Sequence, residues 1–171
     1  MKFIKHIALI TFLLIFSYQS NADDLKKLPS EHEYNFYSGM FDFSDKGKKS
    51  TLIGFQHQNE NLTRKSFLGT LSPITGALIT ADGAGYFYTG VQAQYKIGKI
   101  NLTPSFTPGI YEKGDGKDLG HAIEFKSEIQ LSLNLLENSQ FGMSYNHISN
   151  ASLGKKNPGA NSYMFNYLQK F

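Results

Sequence analysis

Apolar and polar residues alternate with period 2 through much of this chain, and in several segments the alternation is almost unbroken. From His121 onward, Ile123, Phe125, Ile129, Leu131, Leu133 and Leu135 fall on one face, interrupted only at Ser127. Glu124, Lys126, Glu128, Gln130, Ser132 and Asn134 fall on the other. Residues 99–111 set Ile100, Leu102, Pro104, Phe106, Pro108 and Ile110 against Asn101, Thr103, Ser105 and Thr107. Residues 86–97 set Phe87, Val91, Ala93, Tyr95 and Ile97 against Tyr86, Tyr88, Gln92, Gln94 and Lys96. Successive strand residues point to opposite faces, so the pattern predicts half-apolar strands. No helical period and no internal repeat competes with it.

Eight such segments can be placed, at roughly 34–43, 50–58, 64–80, 84–97, 99–111, 120–135, 139–150 and 161–171. Pro73 and several glycines break the pattern of the first three. Their lengths suit a bilayer, which a tilted strand crosses in about 9–11 residues. The connections alternate as well. SDKGKK, TADGAG, EKGDGKDLG and ASLGKKNPGA are long and polar or glycine-rich, whereas the turns around NEN, IGK and LEN are short. Long loops at one end and short turns at the other are the build of a bacterial outer-membrane barrel. The expected fold is therefore all-β, an eight-stranded antiparallel transmembrane β-barrel. The alternative is a periplasmic lipocalin-like barrel with its apolar face inward.

The N-terminus adds an export signal. Lys2 and Lys5 precede a 10-residue apolar run, Ile7 to Phe16, and Ser20-Asn21-Ala22 offers a small-residue cleavage site. The run is too short for a membrane helix, which needs about 20 apolar residues. Residues 1–22 are read as a signal peptide and 23–171 as the barrel. Without the signal, Lys+Arg falls from 17 to 15 against 14 acids, a net charge of +1. That balance gives no support to nucleic-acid binding. With no cysteine, disulfides and thiolate metal sites are excluded.

Candidate chemistry concentrates in the last 25 residues, HISNASLGKKNPGANSYMFNYLQKF. His147 and Ser149 are two apart on one strand face, a base beside a nucleophile. They share parity with Phe141, Met143 and Tyr145, so in a membrane barrel they point toward lipid at the loop end. For His147 alone the plainer reading is a residue of the interfacial aromatic girdle. Polar groups facing lipid are costly without partners, and the pair together, before a Gly/Pro loop able to present N–H groups, favours a site. Glu124, Lys126 and Glu128 read as a lumen network. Lys155 and Lys156 are either phosphate contacts or a solvated loop pair.

HISNA followed by NPG resembles the signature of the PagL family of lipid A deacylases, and the likeness extends upstream through GIYEKGDGKDLGHAIEF to about Pro73. The resemblance implies an outer-membrane esterase of a Gram-negative cell that removes the primary acyl chain from the 3-position of lipid A. It needs no cofactor and no metal, takes lipopolysaccharide as partner, and admits a homodimer. By matching positions, Ser149 would be the nucleophile and His147 its base. The backbone around Ala151 and Ser152, with Asn150 or Asn157, would form the oxyanion hole, and Lys155 and Lys156 would meet lipid A phosphates. The family's pattern carries a glutamate where this chain has Asn161, and a glycine where it has Ser152. Asn161 would then orient His147 through its amide oxygen, as asparagine does in papain-like proteases. A non-catalytic structural or lipid-binding barrel is the alternative.

Overall fold

A computed structural model describes residues 32–45 and 48–171. The signal peptide expected over 1–22 lies outside the described residues. The strands are β1 (His32–Phe41), β2 (Ser50–Asn59), β3 (Arg64–Ser66), β4 (Gly69–Thr80), β5 (Gly85–Ala93), β6 (Tyr95–Ile97), β7 (Ile100–Glu112), β8 (Ile123–Leu136), β9 (Ser139–Ser149) and β10 (Ala160–Lys170). Eight of them form the wall of a closed antiparallel barrel. β10 pairs with β1, and the β2–β4 pairing completes the ring. Closure leaves no long edge to be paired by another chain. β3 and β6 are short strands paired to β4 and β7. The expected 64–80 strand is thus divided at the Phe67–Leu68 turn, and the expected 84–97 strand at Gln94. The first strand ends before Asp42, whose left-handed φ of 50° turns the chain.

The two faces separate cleanly. Phe36, Ile53, Phe87, Ile110, Ile129, Leu133 and Met143 are exposed on the outer wall. Inside, side chains fill the lumen, as they must in a barrel of this strand number. Apolar stripes therefore face outward, the arrangement of a barrel surrounded by hydrocarbon and not of a lipocalin-like cup. Among the described residues no helix is long and apolar enough to cross a membrane.

The interior has two zones. Toward the loop end, Phe41, Leu52, Tyr86, Tyr111, Leu119, Ile148, Ala160 and Met164 belong to an apolar plug. Elsewhere polar groups bond to one another across the lumen: Asn35 Nδ2 donates to Gln130 at 3.2 Å and to Asn166 at 3.0 Å. Lys126 Nζ pairs with Glu128 at 3.0 Å and sits 4.1 Å above the Tyr88 ring. Asn146 Nδ2 also donates to Glu128, at 3.3 Å. Glu124 stays outside this network.

The loops following β1, β4, β7 and β9 gather at one end and tie to each other. Lys117 Nζ bridges to Asp42 at 2.6 Å and Asp45 at 3.3 Å, and Asp115 N–H donates to Asp82 O at 3.0 Å. These ties turn the loop end into a lid over the plug and a firm rim for the outward side chains beside it.

Candidate active site

β9 carries Tyr145, His147 and Ser149 on the outer wall in succession, because alternate strand residues share a face. β10 pairs with it so that Asn161 lies directly opposite His147. The two side chains meet: His147 Nδ1 is 2.8 Å from Asn161 Oδ1. An amide oxygen only accepts, so Nδ1 bears the hydrogen and Nε2 is left as the basic nitrogen.

Asn161 is itself held from three sides. Tyr145 OH donates to the same Oδ1 at 2.8 Å. Its Nδ2 donates to Ser44 Oγ at 3.0 Å, and its carbonyl accepts from Phe43 N–H at 2.9 Å. The Phe43 ring also packs against Tyr145 and Tyr163, with centroids 6.2 Å and 5.5 Å away. The chain just after β1 thus backs the amide that orients the histidine.

The other edge of the ring faces Gly159. A Cβ at that position would stand 2.8 Å from His147 Cε1 and 3.2 Å from Nε2, and its φ of +62° is left-handed. Only glycine meets both conditions without strain. One step beyond the Ala160–Ile148 pair, Gly159 lies across from Ser149, so the basic edge of the ring is turned to the serine's end of the strand. Ser149 is half-buried, and no hydrogen bond joins it to His147 among the described residues. Nucleophile–base contacts are often loose before substrate arrives.

After Ser149 the chain makes a turn with two consecutive left-handed residues, Ala151 at φ 51° and Ser152 at φ 64°. Non-glycine residues seldom take this conformation, and where they do the surroundings must hold them. Asn150 supplies that hold. Its N–H donates to Asn157 Oδ1 at 3.1 Å, and its Nδ2 donates to Leu119 O at 2.8 Å and Lys156 O at 2.9 Å. All three Asn150 donors are thereby spent, making it a strut. Asn157 uses only its amide oxygen here, which leaves an exposed NH₂ as the donor of the two asparagines.

Lys155 and Lys156 line an open depression of about 630 Å³ with Asp118, Gly120, His121 and Leu153. Lys156 Nζ lies 2.9 Å from Asp118. Its hydrogen bond, with that of Gly120 N–H, holds the Asp118 carboxyl below the usual carboxylate range. Further down the outer wall, an apolar groove of about 610 Å³ runs between β1, β2, β4 and β10, lined by Phe36, Ile53, Phe55, Phe165 and Tyr167. Among the described residues no cluster of three or more His, Cys, Asp or Glu could hold a metal ion.

Gly159, Tyr145 and Ser44 are site residues that the sequence reading did not single out. Tyr145 carried a usable signal, since it shares the parity of His147 one strand step away. Gly159 stood inside the NPG motif without a role. Ser44 had no local signal, being brought in by the β1–β10 pairing.

Three comparisons bear on this geometry. A family model described as "Lipid A 3-O-deacylase (PagL)" matches residues 34–169. Among curated proteins the chain has no match. Eight chains of solved structures are similar, two of them as follows. One is described as the crystal structure of the outer membrane enzyme PagL, with 17% identity, a TM-score of 0.58, and coverage of 80% of this chain and 98% of that one. The other comes from the de novo design of transmembrane β-barrels, with 10% identity, a TM-score of 0.55, and coverage of 85% and 98%. At these identities the likeness is one of fold.

Proposed function

This chain belongs to the PagL family of lipid A 3-O-deacylases, and from that premise we propose that it is an outer-membrane esterase of a Gram-negative cell that cleaves the 3-linked primary acyl chain of lipid A with Ser149 and His147. The observation that carries this reading is the 2.8 Å contact between His147 Nδ1 and Asn161 Oδ1, which frees Nε2 on the edge facing the Ser149 end of the strand.

In the reaction, Ser149 Oγ attacks the ester carbonyl carbon while its proton passes to His147 Nε2. The carbonyl π bond becomes an oxyanion, met by Ala151 N–H and the Asn157 NH₂ group. Such donors are worth about 10²–10³ in rate each. Collapse of the adduct breaks the C–O bond to the sugar, and His147 returns its proton to the departing 3-oxygen. Water, activated by the same nitrogen, then releases the fatty acid from Ser149. The outward aim of the pair and the apolar groove in the wall support a substrate that stays in the membrane. Each barrel carries all these groups, so a homodimer is not needed for the chemistry. Residues 1–22 would serve as the export signal and be removed.

Mass spectrometry of lipid A tests the reading. Cells expressing the chain should lose one 3-hydroxyacyl group, and Ser149→Ala should retain it. Asn161, in place of the family's glutamate, favours one second reading, a barrel that has lost catalysis. Unchanged lipid A in cells making well-folded wild-type protein would establish that reading instead.

A further inference from the structure

Asn150 leaves one problem unsolved by its own bonds. Its Nδ2 hydrogens both go to main-chain carbonyls, which only accept, so the amide cannot be reversed. Its Oδ1 is thereby committed to the opposite side, where it is buried with no donor. One step beyond the Phe125–Ser149 pair, across the β8–β9 ladder, stands Glu124. It is 0% exposed, and both its carboxyl oxygens are likewise buried without a partner. Its carboxyl lies beside the Asn150 side chain and the His121 backbone N–H, and neither makes a hydrogen bond of normal geometry to it.

Among the described residues no cation answers Glu124. Lys126, two residues on along the same face, is directed to Glu128 and the Tyr88 ring. The titratable groups facing Glu124 from the other elements are Tyr86 on β5, Tyr111 on β7 and Asp118 in the β7–β8 loop, none of them positive. An ionised carboxylate would face another acceptor in a dry interior, at a large desolvation cost. A protonated one supplies the single donor that Asn150 Oδ1 lacks. The Glu124 backbone is held too, since Tyr86 OH donates to its carbonyl at 3.1 Å.

We propose that Glu124 is a neutral positioning residue whose carboxylic O–H donates to Asn150 Oδ1, clamping the β7–β8 and β9–β10 loops around the turn that follows Ser149. Asn150 reaches Leu119 in one loop and Lys156 in the other, so locking its amide locks both. Deprotonating Glu124 opens the clamp. The kinetic consequence rests on Ser149 being the nucleophile; the clamp itself does not.

The test uses the folded barrel in detergent and two variants. Glu124→Gln keeps a donor, through its NH₂, at every pH, whereas Glu124→Leu removes it. Tryptic cleavage at the exposed Lys155 and Lys156 reads loop opening without reference to catalysis. Glu124→Leu should be cut about tenfold faster than wild type at neutral pH. The wild-type-to-Gln ratio, which cancels the protease's own pH dependence, should rise from near one as pH increases. Lipid A kinetics should follow, with kcat falling for Glu124→Leu and restored in Glu124→Gln. A wild-type-to-Gln ratio that stays constant with pH overturns the proposal, and that ratio alone decides if Glu124→Leu fails to fold. If no form hydrolyses lipid A, the proposed function fails while the cleavage ratio still decides the clamp.

Discussion

Two outward-facing histidine sites lie at opposite ends of the barrel wall, and they differ in what each ring finds across the ladder. At the short-turn end His32 Nδ1 lies 2.9 Å from His57 Nε2. Tyr34 and His57 stand with ring centroids 5.0 Å apart, and Phe171 sets its edge to Tyr34 at 5.6 Å. At the loop end His147 meets an amide oxygen that can only accept, an open glycine edge, and a serine two residues along its own strand. In the first site a single hydrogen bond joins two imidazoles, either of which can be its donor, so neither tautomer is imposed. In the second the tautomer is imposed and the basic nitrogen is left over. A histidine among rim aromatics is an interfacial residue until a one-way partner and free space make it a base.

Removing the reacting groups should widen that contrast most. Ser149→Ala or His147→Ala should lower lipid A deacylation by roughly four to six orders of magnitude. His57→Ala should leave the rate near wild type while both sets of barrels shift on unheated gels. A fully active Ser149→Ala protein would remove the distinction between the two ends.

Filling the space at the loop end should come next. Gly159→Ala places a methyl against the Nε2 edge and strains a left-handed φ, so the rate should drop about 10²-fold through displacement of the ring. Wild-type kinetics in that variant would show that the glycine edge is incidental.

Changing the one-way partner sharpens the comparison further. Asn161→Ala should cost about tenfold to a hundredfold, because the ring loses its tautomer-fixing acceptor. Asn161→Glu should keep or raise the rate, since a carboxylate accepts the same bond and also stabilises the charged imidazole. A rate unaffected by Asn161→Ala would place the orienting group elsewhere.

The smallest effect belongs to the loop cations. Lys156→Ala breaks an exposed pair with Asp118, so catalysis should change only about two- to threefold and the difference should shrink as salt is added. A tenfold loss that persists at high salt would instead make this lysine a direct contact of the substrate.

Much of the molecule was legible in the chain, for a definite reason. Alternation in 120–135 and 139–150 reports a covalent fact, the period of side chains along a strand, and it placed Glu128 inside and Met143 outside without any tertiary input. Loop and turn lengths likewise assigned the ends. The legibility failed where the ladder is irregular, at Phe67–Leu68, at Gln94 and at Asp42, because turns of one or two residues hide within an otherwise extended pattern.

The sequence by itself determined the two faces of the wall and the shared parity of His147 with Ser149, since both follow from local backbone geometry. It also carried the HISNA and NPG motifs. Only the tertiary structure decided what those residues touch. Ser44 reaches Asn161 across 117 positions, Gly159 opens the edge of a ring on another strand, and the buried side chains of Asn150 and Glu124 become neighbours across the β8–β9 ladder. Strand register and loop packing set these contacts, and neither leaves a periodic trace in the chain.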